Sequence, residues 1–190
     1  WSSDVCSSDL RGAPRQARGR SNRGELVARP VPLPTGPGQE SVWSYPRPPR
    51  LEPASRSIRV ELGGVVIART QAAFRVLETS HPPSYYLPPD DCGLEFFAPA
   101  DGRSFCEWKG DAVYWTVTAG GRTAAASAWS YPAPTPRFAA LRDHLAFYPS
   151  VFDCFVDDEP VTPQPGGFYG GWITPDVVGP FKGSPGTSGW

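Results

Sequence analysis

The sequence predicts a mainly β protein of short strands with one short amphipathic helix and Pro/Gly-rich flanks. With 24 Pro and 20 Gly in 190 residues, against ordinary usages of about 5% and 7%, the chain is broken too often for long helices. Seven Trp, seven Tyr and ten Phe suit pleated, half-buried surfaces, where aromatic side chains pack well. Apolar and polar residues also alternate around Gly-Gly pairs, as in SIRVEL-GG-VVIART at 57–70, which is a strand period interrupted by a two-residue hairpin turn.

That hairpin opens the sheet, and the following segments are read in order. Thr70 can cap a short helix through QAAFRVLE, with Phe74 and Leu77 on one face, before HPPSYYLPPDD forces extended geometry. This places Arg75, Glu78 and His81 together at a helix exit. From Leu94 to Tyr131 the chain reads as a meander, with turns at Asp101-Gly102, Gly110-Asp111 and Gly120-Gly121. TPRFAALRDHLAFYP at 135–149 is the expected amphipathic helix: Thr135 as N-cap, Pro136 at the first helical position, Phe138, Leu141 and Leu145 on one stripe, and Pro149 beyond the end. VFDCFVDDEPVTP predicts a last hairpin with Val151, Asp153 and Phe155 on one face. Beyond it, residues 164–190 are too rich in Gly and Pro for regular structure. They are also too aromatic for a free tail, so they are expected to lie against the sheet.

Length suits one domain with tails, since about 150 ordered residues bury roughly two thirds of their unfolded surface. WSSDVCSSDL at 1–10 reads as translated sequencing adapter and is set aside, and a chain without Met is expected to start further upstream, which leaves a targeting segment open. Residues 11–40 are Arg-, Pro- and Gly-rich without an apolar period and predict a disordered leader. The single β-rich domain is expected over 41–190.

Charge and cysteine usage narrow the partners. Residues 1–40 carry six Arg against four acids, leaving 12 Lys and Arg against 15 acids in 41–190. No basic face follows, which disfavours nucleic acid. No apolar run approaches the ~20 residues that cross a bilayer. Apart from Cys6 in the adapter-like stretch, the cysteines are Cys92, Cys106 and Cys154. Their odd number and lack of a Cys-x-x-Cys pair encode neither a disulfide framework nor, with His81 and His144, a zinc site. No metal or cofactor is expected, and a reducing cytoplasm fits three free thiols.

Four stretches, VVIARTQAAFRVLETSHPPSYYLPPDD, FCEWKGDAVYW, AWSYPAPTP and HLAFYP, in that order and spacing closely resemble the bacterial and fungal domain of unknown function 427, sometimes labelled a nucleotidyltransferase-type domain. The resemblance covers about 41–190. It implies a compact, strongly bent antiparallel sheet assembly of the β-tent type with a shared core over about 58–158. To that core the chain adds the leader VWSYPRPPRLEP and a Gly/Pro/aromatic extension over 163–190. Related tent domains often hold zinc in paired Cys knuckles, which this sequence lacks, so that zinc is not carried over.

The candidate site combines two stretches of this core. In CEWKGDAVYW, strand alternation puts Cys106 and Trp108 on one face and Glu107 and Lys109 on the other, with Lys109 at the strand end before Gly110. Lys109 facing Arg75, Glu78 and His81 would make an anion-reading mouth above aromatic walls from Tyr85, Tyr86, Tyr114 and Trp129. The alternative is an Arg75–Glu78 ion pair with Lys109 merely lying along the surface. Trp-Ser-Tyr-Pro occurs at 43–46 and again at 129–132. Each copy reads as an aromatic clamp at a strand end or as a packing staple, and the second brings Tyr131 to the candidate site. Cys106, beside Trp108, is expected to be a wall residue and not a nucleophile.

Three classes of function remain open: a module binding an unidentified small, anionic or polar molecule, an enzyme using Cys106 or His81, and a structural or protein-interaction domain. Nucleotidyl transfer would need metal-binding carboxylates and a phosphate-cradling loop. The acids of VDDEP alternate faces, and GGFYGGW lacks the following helix and Lys-Ser/Thr of a P-loop.

Overall fold

The computed structural model describes residues 30–190; the adapter-like stretch and most of the leader lie outside the described residues. Strand β1 (Glu40–Ser41) leads into a 3-10 turn over Val42–Ser44, and β2 (Arg50–Pro53) follows. β3 (Ile58–Leu62) and β4 (Val65–Thr70) form the hairpin expected around Gly63-Gly64. β5 (Phe74–Leu77) and β6 (Ser84–Tyr86) come next.

The expected helix over 71–78 is a strand instead. Thr70 Oγ1 does accept a bond from the Ala72 N–H at 2.9 Å, as a cap would. Yet an eight-residue helix is marginal on its own. As β5 the segment pairs with β2 on one side and β6 on the other, and the leader that supplies β2 is distant in sequence.

The meander is built from β7 (Phe97–Cys106), β8 (Gly110–Ala119) and β9 (Arg122–Ser130), and β10 (Ala146–Phe147) completes a four-stranded antiparallel sheet in the order β10-β9-β8-β7. Asp101-Gly102 is not a turn but a bulge, where the β7 register slips between Ala100 and Arg103. The turn expected at Gly110-Asp111 falls at residues 107–109, and Gly110 and Asp111 open β8.

Only Pro136–Leu141 of the expected helix at 135–149 is helical, and that stretch is 3-10. Thr135 makes no side-chain cap; its hydroxyl donates to the Trp108 carbonyl at 2.6 Å. Residues 145–147 leave the helical path because Leu145 bridges Leu87 and Ala146 and Phe147 pair with β9. Ladder bonds and burial of Phe147 outweigh the three- and four-residue spacing.

β11 (Asp153–Val156) and β12 (Glu159–Pro160) form the last expected hairpin and extend the first sheet to the order β12-β11-β3-β4. β13 (Thr162–Pro163) pairs with β14 (Trp172–Ile173), and β15 (Val177–Val178) lies parallel to β1. The protein is therefore mainly β, made of several mostly antiparallel sheets with no barrel and very little helix among the described residues. Its core holds Ile58, Leu62, Ile67 and Phe147 from the two larger sheets, Leu87 from the segment after β6, and the fully buried Trp172 of the extension. The Trp172 indole donates to the Phe147 carbonyl at 3.2 Å. No helix among the described residues is long and apolar enough to cross a membrane.

Candidate functional site

Beside this core lies a cleft of about 620 Å³ between β5–β6, the 107–109 turn, the ends of β8 and β9, and the extension. Period-two alternation sets its floor. Tyr86 turns into it edge-on to Trp129, with ring centroids 6.4 Å apart, while Trp129 tilts against Tyr148 at 4.6 Å. The fully buried Tyr86 hydroxyl is bonded to both Trp129 and Tyr131, and burial raises its pKa although nearby Lys109 opposes the rise. Its neighbour Tyr85 points the other way and packs on Trp172 at 5.1 Å. Tyr85 therefore belongs to the core face and not to this wall.

The rim is set by the 107–109 turn, which Thr135 pins by donating from its backbone N–H to the Lys109 carbonyl at 3.1 Å. Because β7 ends at Cys106, alternation no longer separates the following side chains, and Cys106, Glu107, Trp108 and Lys109 all line the cleft. The ammonium of half-buried Lys109 sits 5.7 Å from the Tyr131 ring centroid. Burial acts against its charged form, but the facing Tyr86, Cys106 and Glu78 outweigh that and hold its pKa above the ordinary lysine value. It makes no salt bridge among the described residues.

Arg75 is not at this site. It faces a second cleft of about 470 Å³ with Glu40, Glu52, Arg56 and Asp176. There it pairs with Glu40 and donates from Nε to Glu52 at 2.7 Å. Glu78 consequently pairs with Arg47 of the leader at 3.0 Å, not with Arg75. The cause is geometric: as a strand residue Arg75 shares the Tyr85 side of β5–β6, whereas a helix would have carried it towards His81.

His81 lines the first cleft and packs edge-on against Tyr169 at 4.6 Å. The Gln164 amide nitrogen donates to the Lys182 carbonyl at 2.8 Å and meets His81 Nδ1 at 2.9 Å. The carbonyl bond fixes which end of the amide faces the ring, so Nδ1 accepts and the proton resides on Nε2. Burial, reinforced by the positive charges of Lys182, Arg47 and Lys109, lowers the His81 pKa to about 3. Tyr114 completes the wall from β8, its hydroxyl 2.7 Å from Ser104 Oγ.

Sequence reasoning missed the far wall, which comes from the leader and the extension: Arg47, Gln164, Phe168, Tyr169, Lys182 and Trp190. The only local signal was the aromatic content of the extension. Gly170 lets that strap cross directly over the Trp129 ring, where a Cβ would overlap the indole.

The two Trp-Ser-Tyr-Pro copies differ in role. Trp43 lies in a 3-10 turn, donates to the Pro180 carbonyl at 2.8 Å and packs edge-on against Trp190 at 5.6 Å. It is a staple for the extension, whereas Trp129 and Tyr131 line the cleft. Cys92, Cys106 and Cys154 are free thiols. No cluster of three or more His, Cys, Asp or Glu side chains among the described residues is arranged to hold a metal ion.

Comparison with known proteins adds one finding. No curated protein matches the chain. A family model described as a domain of unknown function (DUF427) matches residues 50–158. The matched stretch holds Glu78, His81, Tyr86, Lys109 and Trp129, while the far wall lies outside it. With more than half its length inside that match, the chain belongs to the DUF427 family.

Proposed function

We propose that this chain is a binding module for a small anionic molecule, held in the aromatic cleft with its negative group at Lys109. The observation that carries the reading is the half-buried Lys109 ammonium, which is charged yet has no salt bridge among the described residues. An ammonium that stays charged at the rim of an aromatic cleft, with no carboxylate in direct contact among the described residues, presents a point charge that attracts an anion more strongly than it would in open water. The cleft volume lies within the roughly 300–1,000 Å³ range of small-molecule sites, which are mostly apolar with a few converging polar groups. Free Cys92, Cys106 and Cys154 support a reducing, cytoplasmic setting.

Nucleotidyl transfer has weaker support. Of the carboxylates in the 156–160 turn, Asp157 is engaged by Arg56 at 2.7 Å and Asp158 by Arg59 at 3.3 Å, and neither these nor Glu159 lines the cleft. A covalent mechanism would have to use Cys106. The neutral His81 ring has its Nδ1 committed to Gln164 and is poorly suited to act as its base.

The test is differential scanning fluorimetry of the full chain against a panel of monocarboxylates, dicarboxylates and inorganic phosphate, for wild type and Lys109→Met. Binding to the native state raises the melting temperature by mass action. The expected result is stabilisation by at least one anion that Lys109→Met abolishes. Stabilisation that survives the substitution would remove Lys109 from the site and sink the reading.

A further inference from the structure

We infer that His81 is a second ligand-binding residue of this cleft, donating from Nε2–H to the oxyanion held at Lys109, and that Gln164 of the extension is the positioning residue that keeps the ring in this form. The inference rests on the binding-module reading and adds a contact and the residue that governs it.

A closed circuit of hydrogen bonds joins the turn after β5 to the extension. Buried Ser80, at a positive φ of 71°, accepts at its carbonyl from the Lys182 N–H at 2.9 Å. The Lys182 carbonyl accepts from Gln164 Nε2 at 2.8 Å, and the same nitrogen reaches His81 Nδ1 at 2.9 Å. The His81 backbone N–H donates to the Glu78 carbonyl at 3.0 Å, and Tyr169 stands edge-on to the ring. Gln164 is only 3% exposed, so it does not exchange these bonds for water. An amide turned end for end would set its oxygen against the Lys182 carbonyl, which can only accept. The nitrogen end therefore stays at His81, and Nδ1 stays an acceptor.

The circuit leaves over the Nε2–H. It has no hydrogen-bond partner among the described residues. Unlike the neighbouring Ser80 hydroxyl, it is not sealed from open space, and the ring lines the cleft that Lys109 also lines. A ring fixed in this way offers a donor and no acceptor. It suits an oxyanion, whether carboxylate or phosphate, and would leave a ligand N–H or O–H unpaired. Burial and the nearby positive charges keep His81 neutral near pH 7, so it selects by the direction of its donor while Lys109 supplies the charge. Because the donor is held before a ligand arrives, little side-chain freedom is lost on binding.

Long-range 1H–15N NMR of the full chain reads the tautomer, and His144→Gln assigns the signals of the two histidines. The expected result near pH 7 is a proton on Nε2 and none on Nδ1. Gln164→Glu, whose carboxylate only accepts, should place a proton on Nδ1, and Gln164→Leu should give a mixture of the two tautomers. A wild-type ring protonated on Nδ1, or a tautomer that neither substitution alters, would overturn the inference. The ligand contact is read in the wild type, independently of how the Gln164 variants fold, by titrating benzoate, succinate and inorganic phosphate in turn. At least one anion whose stabilisation requires Lys109 should shift the His81 Nε2–H signal. That anion should bind about tenfold weaker to His81→Leu, the worth of one hydrogen bond to a charged group, and within about threefold of wild type to His81→Gln, whose amide keeps an N–H donor. Lys109-dependent binding that leaves the Nε2–H signal unmoved would overturn this inference and leave the anion reading standing. The absence of any Lys109-dependent anion would overturn both.

Discussion

Gly63 and Gly120, the first residues of two hairpin turns on different sheets, touch backbone to backbone: a Cβ at Gly63 would lie 2.6 Å from the Gly120 carbonyl oxygen, and one at Gly120 would overlap the Gly63 carbonyl. Both have positive φ, 59° and 54°. The second glycine of each pair, Gly64 or Gly121, shares the positive φ but has nothing within 4 Å of its would-be Cβ.

These pairs separate the backbone cost from the contact cost. Gly64→Ala and Gly121→Ala should each lose roughly 1–2 kcal/mol, the cost of a side chain in the left-handed region. Gly63→Ala and Gly120→Ala should lose about 1–3 kcal/mol more, because the two sheets must also move apart. Urea denaturation of the four variants measures this. Equal losses would mean that the two tips do not constrain one another.

Stability should fall in mild acid because of His81. An unfolded histidine titrates near pH 6.5, whereas His81 in the fold titrates at about 3. Between these values the unfolded chain binds a proton that the folded chain refuses. Stability therefore drops as pH falls through this window, by up to about 1.4 kcal/mol per pH unit. His81→Gln should flatten the difference in unfolding free energy between pH 7 and pH 5. An unchanged slope would show that the ring protonates in the fold.

Arg75→Ala should destabilise without touching the cleft. Removing the guanidinium leaves Glu40 and Glu52 facing each other across the second cleft, at a cost of about 1–3 kcal/mol for partly buried groups left unpaired. Denaturant titration gives the loss. Anion-dependent stabilisation through Lys109 should persist at its wild-type size, and its disappearance would bring Arg75 back into the site.

Gly170→Ala should unseat the strap over Trp129. The added Cβ overlaps the indole, so either the extension lifts or Trp129 turns, at about 1–3 kcal/mol. Near-UV circular dichroism should change with the stability. A variant with wild-type spectrum and melting would show that the strap does not bear on the ring.

Native alkylation should distinguish the thiols. Burial pushes the Cys92 pKa up to about 12 and that of Cys154 well above its ordinary value, so neither supplies thiolate at neutral pH. Of Cys92, Cys106 and Cys154, iodoacetamide followed by peptide mapping should mark Cys106 alone, and no faster than free cysteine. Faster labelling would favour the enzymatic alternative over a passive wall.

Strand character was legible wherever alternation and turn chemistry coincide. Gly63-Gly64 and Gly120-Gly121 need only their neighbours to specify a tight turn, whereas Lys109, expected at a strand end, lies in the 107–109 turn because β7 stops at Cys106. Arg75 could not be placed, since its side depends on whether 71–78 is helix or strand, and only pairing with β2, distant in sequence, decides that. Residues 145–147 left the expected helix for the same reason, drawn into ladder bonds with Leu87 and β9. The sequence by itself determined the β class, the main hairpins and the aromatic stock from which a cleft is built, because these follow from local periodicity and side-chain chemistry. Only the tertiary structure decided that Gln164 and Lys182 stand beside His81 and that Gly170 crosses Trp129, because close contacts between segments tens of residues apart leave no periodic trace along the chain.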